Sequence, residues 1–176
     1  YQTNVIGTQN VLEACRIHNV GQLIYTSSPS VVFNQGDQEN IDESAPYAEE
    51  FKTAYPKTKA LAEQLVRKAA DDGLKTIIIR PHLIWGPEDN HIFHRVLERG
   101  HKLKIIGTND KLVDTIYIDN AAEAHILASQ RLSENPSLSG NVYFVSQDDP
   151  MTLWDIMDAF LDIAGKPPIK GRVSVR

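Results

Sequence analysis

Two short apolar runs constrain the fold most: Gln22-Leu23-Ile24-Tyr25-Thr26, just after Gly21, and Thr76-Ile77-Ile78-Ile79-Arg80, closed by Pro81. Neither alternates apolar with polar residues, so each reads as a strand buried on both faces. Between them, over about 54–72, Leu61, Leu65, Val66 and Ala69 recur on one helical face, and Gly73 supplies a stop. A strand, a helix and a second strand joined in this way make a right-handed crossover with parallel strands. Such units build a parallel sheet with helices on both faces.

The remaining pattern extends this unit in both directions. Val5, Thr8, Val11, Leu12 and Cys15 stand at three- and four-residue spacing, which predicts an amphipathic helix over 3–18. Residues 27–47 are polar, with Asn34, Gly36, Asp37 and Pro46, and suit a long surface loop. Past Gly86-Pro87 the alternation is less regular. It predicts a short helix over 92–99, short strands over 103–106 and 112–118, an Ala-rich helix over 119–133 and a strand over 141–145. A last helix over 152–164 is ended by Gly165 and Pro167-Pro168. The predicted fold class is α/β, a doubly wound parallel sheet of Rossmann-like type with a small mixed appendage near the C-terminus.

Composition bounds what such a chain can do. Its 176 residues, 41% of them hydrophobic, make one globular domain with a real core, since a chain of this length typically buries roughly 70% of its unfolded surface. The single cysteine, Cys15, excludes a disulfide framework and a cysteine-rich zinc site, and points to a reducing, cytoplasmic compartment. A net charge of −5, spread without long runs, gives no footprint for nucleic acid. No apolar stretch approaches the ~20 residues of a membrane span. The absence of an initiator methionine and of any terminal signal suggests a segment cut from a longer protein.

A doubly wound sheet places its ligand crevice at the carboxyl ends of its strands, so the residues just after each strand come first. They are Thr26-Ser27-Ser28 after the first strand and Pro81-His82-Leu83-Ile84 after the second. Between them the helix opens with Tyr55-Pro56-Lys57-Thr58-Lys59, and Tyr55 and Lys59, four apart, project from one face. If that face turns to the crevice, the Lys59 ammonium favours the Tyr55 phenolate and lowers a pKa otherwise near ~10. A tyrosine so tuned can give a proton to a carbonyl oxygen or take one from an alcohol. The bland alternative is an ordinary helix start with a packed tyrosine and a solvated lysine, and for Ser28 a loop serine capping a turn.

This Tyr-x-x-x-Lys on a helix, following a strand that ends in Thr26-Ser27-Ser28, resembles the active-site pattern of the extended short-chain dehydrogenases. Three further blocks resemble that family in order and spacing: Asn4-Val5-x-Gly7-Thr8-x-Asn10-Val11-Leu12-Glu13-Ala14-Cys15, Arg80-Pro81-x-x-x-x-Gly86-Pro87 and Tyr117-Ile118-Asp119-Asn120-Ala121-Ala122. The resemblance runs through practically the whole chain. It implies that Ser28 hydrogen-bonds the substrate oxygen, that Tyr55 is the general acid and base, and that Lys59 binds the nicotinamide ribose while stabilising the tyrosinate. Thr26 and Ser27 would line the same strand end of the cofactor site, and Pro81, His82, Leu83 and Ile84 would lie beside the nicotinamide carboxamide. The implied cofactor is NAD or NADP.

One departure from the pattern is large. None of the ten glycines forms the glycine-rich phosphate loop of such enzymes, and the residue that selects NAD or NADP is missing with it. Residues 1–176 are thus expected to be a single partial NAD(P)-binding domain, the catalytic half, with about 86–110 and 150–176 contributing to a substrate-binding region. Such a segment alone is expected to leave an unpaired sheet edge, to be prone to aggregation and to lack dehydrogenase activity.

Within the family, nucleotide-sugar epimerases and dehydratases place an Asn where this chain has Leu83 and an Arg where it has Val113. A substrate diphosphate would be poorly held without them. Ser28-Pro29-Ser30-Val31-Val32-Phe33, Asp42-Glu43-Ser44, Tyr55 through Lys59 and Gly86-Pro87-Glu88-Asp89 look most like the 3β-hydroxysteroid dehydrogenase branch, with its sterol-4α-carboxylate 3-dehydrogenases and bacterial 2-alkyl-3-oxoalkanoate reductases. That resemblance implies hydride exchange at a 3-hydroxy or 3-oxo carbon of a sterol-like or lipid-like small molecule. The alternatives are a nucleotide-sugar epimerase or dehydratase, and a nicotinamide-binding protein that has lost the reaction. A homodimer through the helix over 54–70 is an expectation by analogy only.

Other candidates read as structural. His91 and His94, with His101 nearby, could suggest a metal pair, but no third ligand stands in a recognisable place, and no metal is expected. Trp85 and Trp154 read as core or crevice wall, and Cys15 as an inert buried thiol.

Overall fold

A computed structural model describes residues 1–34, 36–89, 92–108 and 111–174. The chain divides into two compact units, Tyr1–His82 with Asn120–Val145, and Leu83–Asp119 with Ser146–Arg176.

In the first unit the elements run α1 (Gly7–Ile17), β1 (Gln22–Thr26), α2 (Ala54–Asp71) and β2 (Lys75–Pro81). A π-helical turn, Gln2–Ile6, leads into α1, and a 3₁₀ turn, Pro29–Val32, follows β1. Pro56 is tolerated in the first turn of α2 because no amide there needs a partner inside the helix. At the other end the Leu74 amide reaches back to the Ala69 carbonyl and Gly73 takes a φ of +103°, a left-handed cap that glycine adopts without strain.

The strand expectations of this region hold, and β2 runs through Pro81 rather than stopping before it. That proline pairs with Val145 at the end of the strand. β1 and β2 are parallel, with Leu23 opposite Thr76 and Thr26 opposite Ile79.

The second unit begins with β3 (Leu83–Trp85), α3 (Ile92–Arg99), β4 (Lys104–Ile106), β5 (Leu112–Val113) and β6 (Thr115–Tyr117). From it the chain enters α4 (Ile118–Glu134) and β7 (Asn141–Val145), which complete the first unit, and returns as β8 (Met151–Thr152), α5 (Leu153–Ile163) and β9 (Gly171–Val173). β7 pairs parallel with β2, so the first unit's sheet has the order β1-β2-β7.

The pleat of the central strand explains why the sheet is doubly wound. Ile78 points to one face, where it packs with Val66 of α2, Leu12 of α1, Tyr25 and Val142. Ile77 and Ile79 point to the other, against Leu132 and Ala128 of α4, Ile24 and Val145. Every β2 residue after Lys75 is buried, as a parallel strand covered by helices on both faces requires.

Among the described residues the second unit has three two-stranded pairings: β3 with β6 and β4 with β9, both parallel, and β5 with β8, antiparallel. Its core is Val96, Leu161 and Ile169, with Trp154 and Met157 packed against it. Trp85 meets Phe93, Tyr117 and Phe160 edge-on in an aromatic cluster, so both tryptophans serve packing. The segments set apart from sequence, about 86–110 and 150–176, fall within this unit's bounds.

Candidate active site

The alternation of side chains at the end of β1 sends two neighbouring hydroxyls to opposite faces of the sheet. Ser27 lies on the α2 side, where its Oγ donates to Glu63 Oε2. Thr26 lies on the α4 side, its Oγ1 2.7 Å from His125 Nε2. His125 Nδ1 sits 2.6 Å from the Ala121 carbonyl, which can only accept. Nδ1 therefore carries the proton, and in the neutral ring Nε2 accepts from Thr26.

On α2, Tyr55, Lys59 and Glu63 follow one another at four-residue spacing on one helical face. Lys59 Nζ donates a 2.5 Å hydrogen bond to the Thr26 carbonyl and stands 4.7 Å from the centroid of the Tyr25 ring. The ammonium is thus directed to the strand end, which the sequence expectation of a simple Lys59–Tyr55 pair did not include. Burial pushes the Lys59 pKa down, and the Glu63 carboxylate one turn further along opposes that shift. Tyr55, at the mouth of the helix, is 55% exposed, so its phenol is open to a bound molecule. Between them Thr58 is buried, and its Oγ1 accepts from Asn4 Nδ2 at 2.9 Å, tying the turn before α1 to the start of α2.

Behind this face lies a buried ion pair. Glu63 is 0% and Arg80 1% exposed, and the guanidinium reaches the carboxylate through Nε at 3.2 Å and Nη2 at 2.6 Å. Tyr47 OH, at 3.0 Å from Oε1, joins Ser27 as the fourth donor, so each carboxylate oxygen receives two. Burial, followed by the Glu63 charge, raises the Tyr47 pKa and keeps its hydroxyl a donor. Among the described residues Arg80 Nη1 has no hydrogen-bond partner, and the guanidinium carbon lies 5.3 Å from the Phe144 ring centroid and 5.9 Å from that of Tyr47. Those two ring faces compensate part of the lost hydration.

The sequence reading did not single out Glu63, Arg80, Tyr47 or His125. Two signals were present: an arginine closing an all-apolar buried strand needs a countercharge, and Glu63 continues the Tyr55–Lys59 spacing by one turn.

Ser28 caps the 3₁₀ turn Pro29–Val32: its Oγ accepts from the Ser30 amide at 3.3 Å and lies 2.8 Å from Ser30 Oγ. When Ser30 donates in that pair, the Ser28 proton remains for an incoming oxygen. Ser27, expected to line the cofactor site, instead turns its hydroxyl inward and is buried. Pro81 is buried in β2, and His82 donates its amide to Val145 while its ring packs 5.8 Å from Phe144. Leu83 and Ile84 belong to β3 in the second unit, Ile84 exposed and Leu83 half-buried. The structure therefore gathers Thr26, Ser27, Ser28, Tyr55, Lys59, Pro81 and His82 in one unit and assigns Leu83 and Ile84 to the other.

His91 lies outside the described residues, and His94 Nε2 is 3.2 Å from Glu98 Oε1 on its own helix. Cys15 is buried and lines an open groove of about 600 Å³ between α1 and α2, beside Leu12, Val20, Leu65 and Leu74. Val20 and Leu74 precede β1 and β2, so this groove lies at the amino ends of the strands, opposite the site. Among the described residues no helix is long and apolar enough to cross a membrane.

A Rossmann-like sheet whose strand end holds the lysine of a Tyr-x-x-x-Lys helix defines the extended short-chain dehydrogenase/reductase class. Residues 1–170 match the 3-beta hydroxysteroid dehydrogenase/isomerase family, and the chain belongs to it. The chain is 46% identical over 180 residues to a 2-alkyl-3-oxoalkanoate reductase of Shewanella oneidensis, covering 97% of this chain and 46% of that protein. It is 41% identical to a decarboxylating sterol-4-alpha-carboxylate 3-dehydrogenase of Schizosaccharomyces pombe, covering 96% of this chain and 51% of that one. It thus spans about half the length of the curated relatives it matches.

Among solved structures, a dTDP-glucose 4,6-dehydratase of Bacillus anthracis in complex with NAD superposes with a TM-score of 0.78 at 21% identity, covering 100% of this chain and 57% of that one. That likeness shows the fold.

Proposed function

We propose that the intact protein is an NAD- or NADP-dependent oxidoreductase that interconverts a 3-hydroxy and a 3-oxo group on a lipid-like or sterol-like acid. The observation that carries the reading is the Lys59 ammonium held at the carboxyl end of β1, one helical turn from the half-exposed Tyr55 phenol. An ammonium has three donors, and one is bound to Thr26. The other donors and the Tyr55 hydroxyl have the chemistry to hold a ribose diol, so these residues fit a nicotinamide nucleotide. When bound, that group gives or takes the hydride.

The chain's own part is proton transfer and orientation. Ser28 Oγ donates to the substrate oxygen, and Tyr55 Oη delivers a proton to that oxygen in reduction or removes it in oxidation. The positive charge of Lys59 favours the tyrosinate that this leaves. In this reading the first unit carries the cofactor and catalytic half, and Leu83–Asp119 with Ser146–Arg176 contributes the substrate-binding region. The names of the relatives support a substrate in which the reacting carbon lies β to a carboxylate.

The test uses the intact protein, NADH and NADPH, and a 2-alkyl-3-oxoalkanoate. Steady cofactor oxidation that Tyr55→Phe abolishes, with cofactor binding retained, is the expected result. Near wild-type turnover by Tyr55→Phe removes Tyr55 from the mechanism. Turnover of a UDP- or dTDP-sugar with no net change in reduced cofactor would replace the reading with an epimerase or dehydratase.

A further inference from the structure

The Glu63 carboxylate is the point where four segments meet. It receives Ser27 from the end of β1, Tyr47 from the following loop and Arg80 from the end of β2, while it stands on α2 itself. Two of these partners adjoin candidate site residues, Ser27 beside Ser28 and Arg80 beside Pro81, and Glu63 itself stands one helical turn after Lys59. The pair is buried to 0% and 1%, far from the solvent that would weaken it. All four donors are matched to four acceptor positions, so the carboxylate admits one arrangement of these elements.

Resting on the reading above, we infer that Glu63 is a positioning residue for the reaction: it locks the catalytic face of α2 against the ends of β1 and β2, holding Lys59 and Ser28 in place. Sliding α2 by one turn would carry Glu63 about 5.4 Å from its donors and leave Arg80 as an unpaired buried charge. The lock therefore sets both the height and the rotation of the helix that carries Tyr55 and Lys59. Glu63 also acts on Lys59 through its charge, which opposes the effect of burial. The Tyr25 ring on β1 also faces that ammonium, Tyr55 stands one turn back on α2, and His125 on α4 engages the side chain of the same Thr26 whose carbonyl Lys59 binds.

The test compares Ser27→Ala, Glu63→Gln and Tyr55→Phe in the intact protein. Ser27→Ala keeps the ion pair and removes only the hydrogen bond from the end of β1 to the Glu63 carboxylate. It is expected to fold, with a melt lowered by the loss of one buried hydrogen bond to a charged group, and to lower kcat about 10-fold or more, the scale of a small misplacement, with KM little changed. Glu63→Gln is expected to lower kcat further and to move the alkaline limb of the rate profile to lower pH, because Lys59 then gives up its proton sooner.

That last effect is read without turnover by NMR of protein labelled at lysine Cε, with Lys59→Arg assigning the resonance: the Lys59 midpoint falls in Glu63→Gln. A folded Ser27→Ala with wild-type kcat overturns the positioning role, and so does an unmoved Lys59 midpoint in a folded Glu63→Gln. If Glu63→Gln does not fold, Ser27→Ala alone decides. An inactive Tyr55→Phe beside fully active Ser27→Ala and Glu63→Gln overturns this inference and leaves the oxidoreductase reading intact. An active Tyr55→Phe overturns that reading, while the Lys59 midpoint still judges the lock.

Discussion

Lys59 reaches from α2 to the last residue of β1, where its ammonium donates a 2.5 Å hydrogen bond to the Thr26 carbonyl. The bond joins the helix to the strand end without using the Thr26 side chain, which is engaged by His125 on the opposite face. Any side chain at position 26 would offer the same carbonyl, so the contact depends on backbone placement rather than on residue type.

Burial lowers the Lys59 pKa, and that gives stability a pH dependence of definite sign. The folded chain releases this proton at lower pH than the unfolded chain, whose lysine titrates near ~10.4. Between those two values the unfolded state binds more protons, so stability rises with pH in that window. Wild type is expected to gain on Lys59→Met as the pH rises from neutral towards the unfolded lysine pKa. Thermal melts of both proteins across that range measure the difference, and a gap that stays constant or narrows contradicts the assignment.

The Glu63–Arg80 pair is expected to behave as a coupled unit in stability. Removing one partner leaves a buried charge and costs about 3–5 kcal/mol, far more than an exposed ion pair such as Lys68–Asp72. Removing both removes the stranded charge, so Glu63→Gln with Arg80→Met should fall short of the sum of its singles by on the order of 2 kcal/mol. Urea denaturation of the four proteins completes the cycle. Additive losses would mean that the two residues act independently.

In the second unit, Gly100 is buried where the chain passes the side chain of Leu161. A Cβ at position 100 would come to 2.7 Å from Leu161 Cδ2, and Leu161 is itself 1% exposed, with little room to move. Gly100→Ala is therefore expected to destabilise this unit by about 1–3 kcal/mol, the usual scale of overpacking. Shortening the opposing side chain with Leu161→Val should recover part of that loss. Equal stability of Gly100→Ala and Gly100→Ala/Leu161→Val would show that the contact is not the cause.

The elements that were legible in the sequence are those whose periodicity is long enough to specify a face. β1, α3 and β7 fall on their predicted bounds, and α2 differs by one residue at its end, because each is set by its own apolar spacing or by a local stop such as Gly73. β3, β8 and β9 were not predicted. Each is two or three residues long and is a strand only because a distant segment pairs with it, as Met151–Thr152 does with Leu112–Val113. The predicted strand over 112–118 is likewise two strands, β5 and β6, which pair with different partners.

For the site, the sequence by itself determined that Tyr55 and Lys59 share a helical face, since four-residue spacing on a helix permits nothing else. Tertiary structure decided what that face meets. The spacing predicted an ammonium beside a phenol; the fold brought the Thr26 carbonyl to Lys59 and buried Glu63 against Arg80, contacts between residues 33 and 17 positions apart. A hydroxyl's direction at a strand end depends on the strand's pleat and on which helix covers each face, so Thr26 and Ser27, adjacent and chemically alike, acquire different partners. Local spacing carries information over a few residues, whereas the partner of a buried polar group is chosen by whichever distant segment the packing of the core delivers to it.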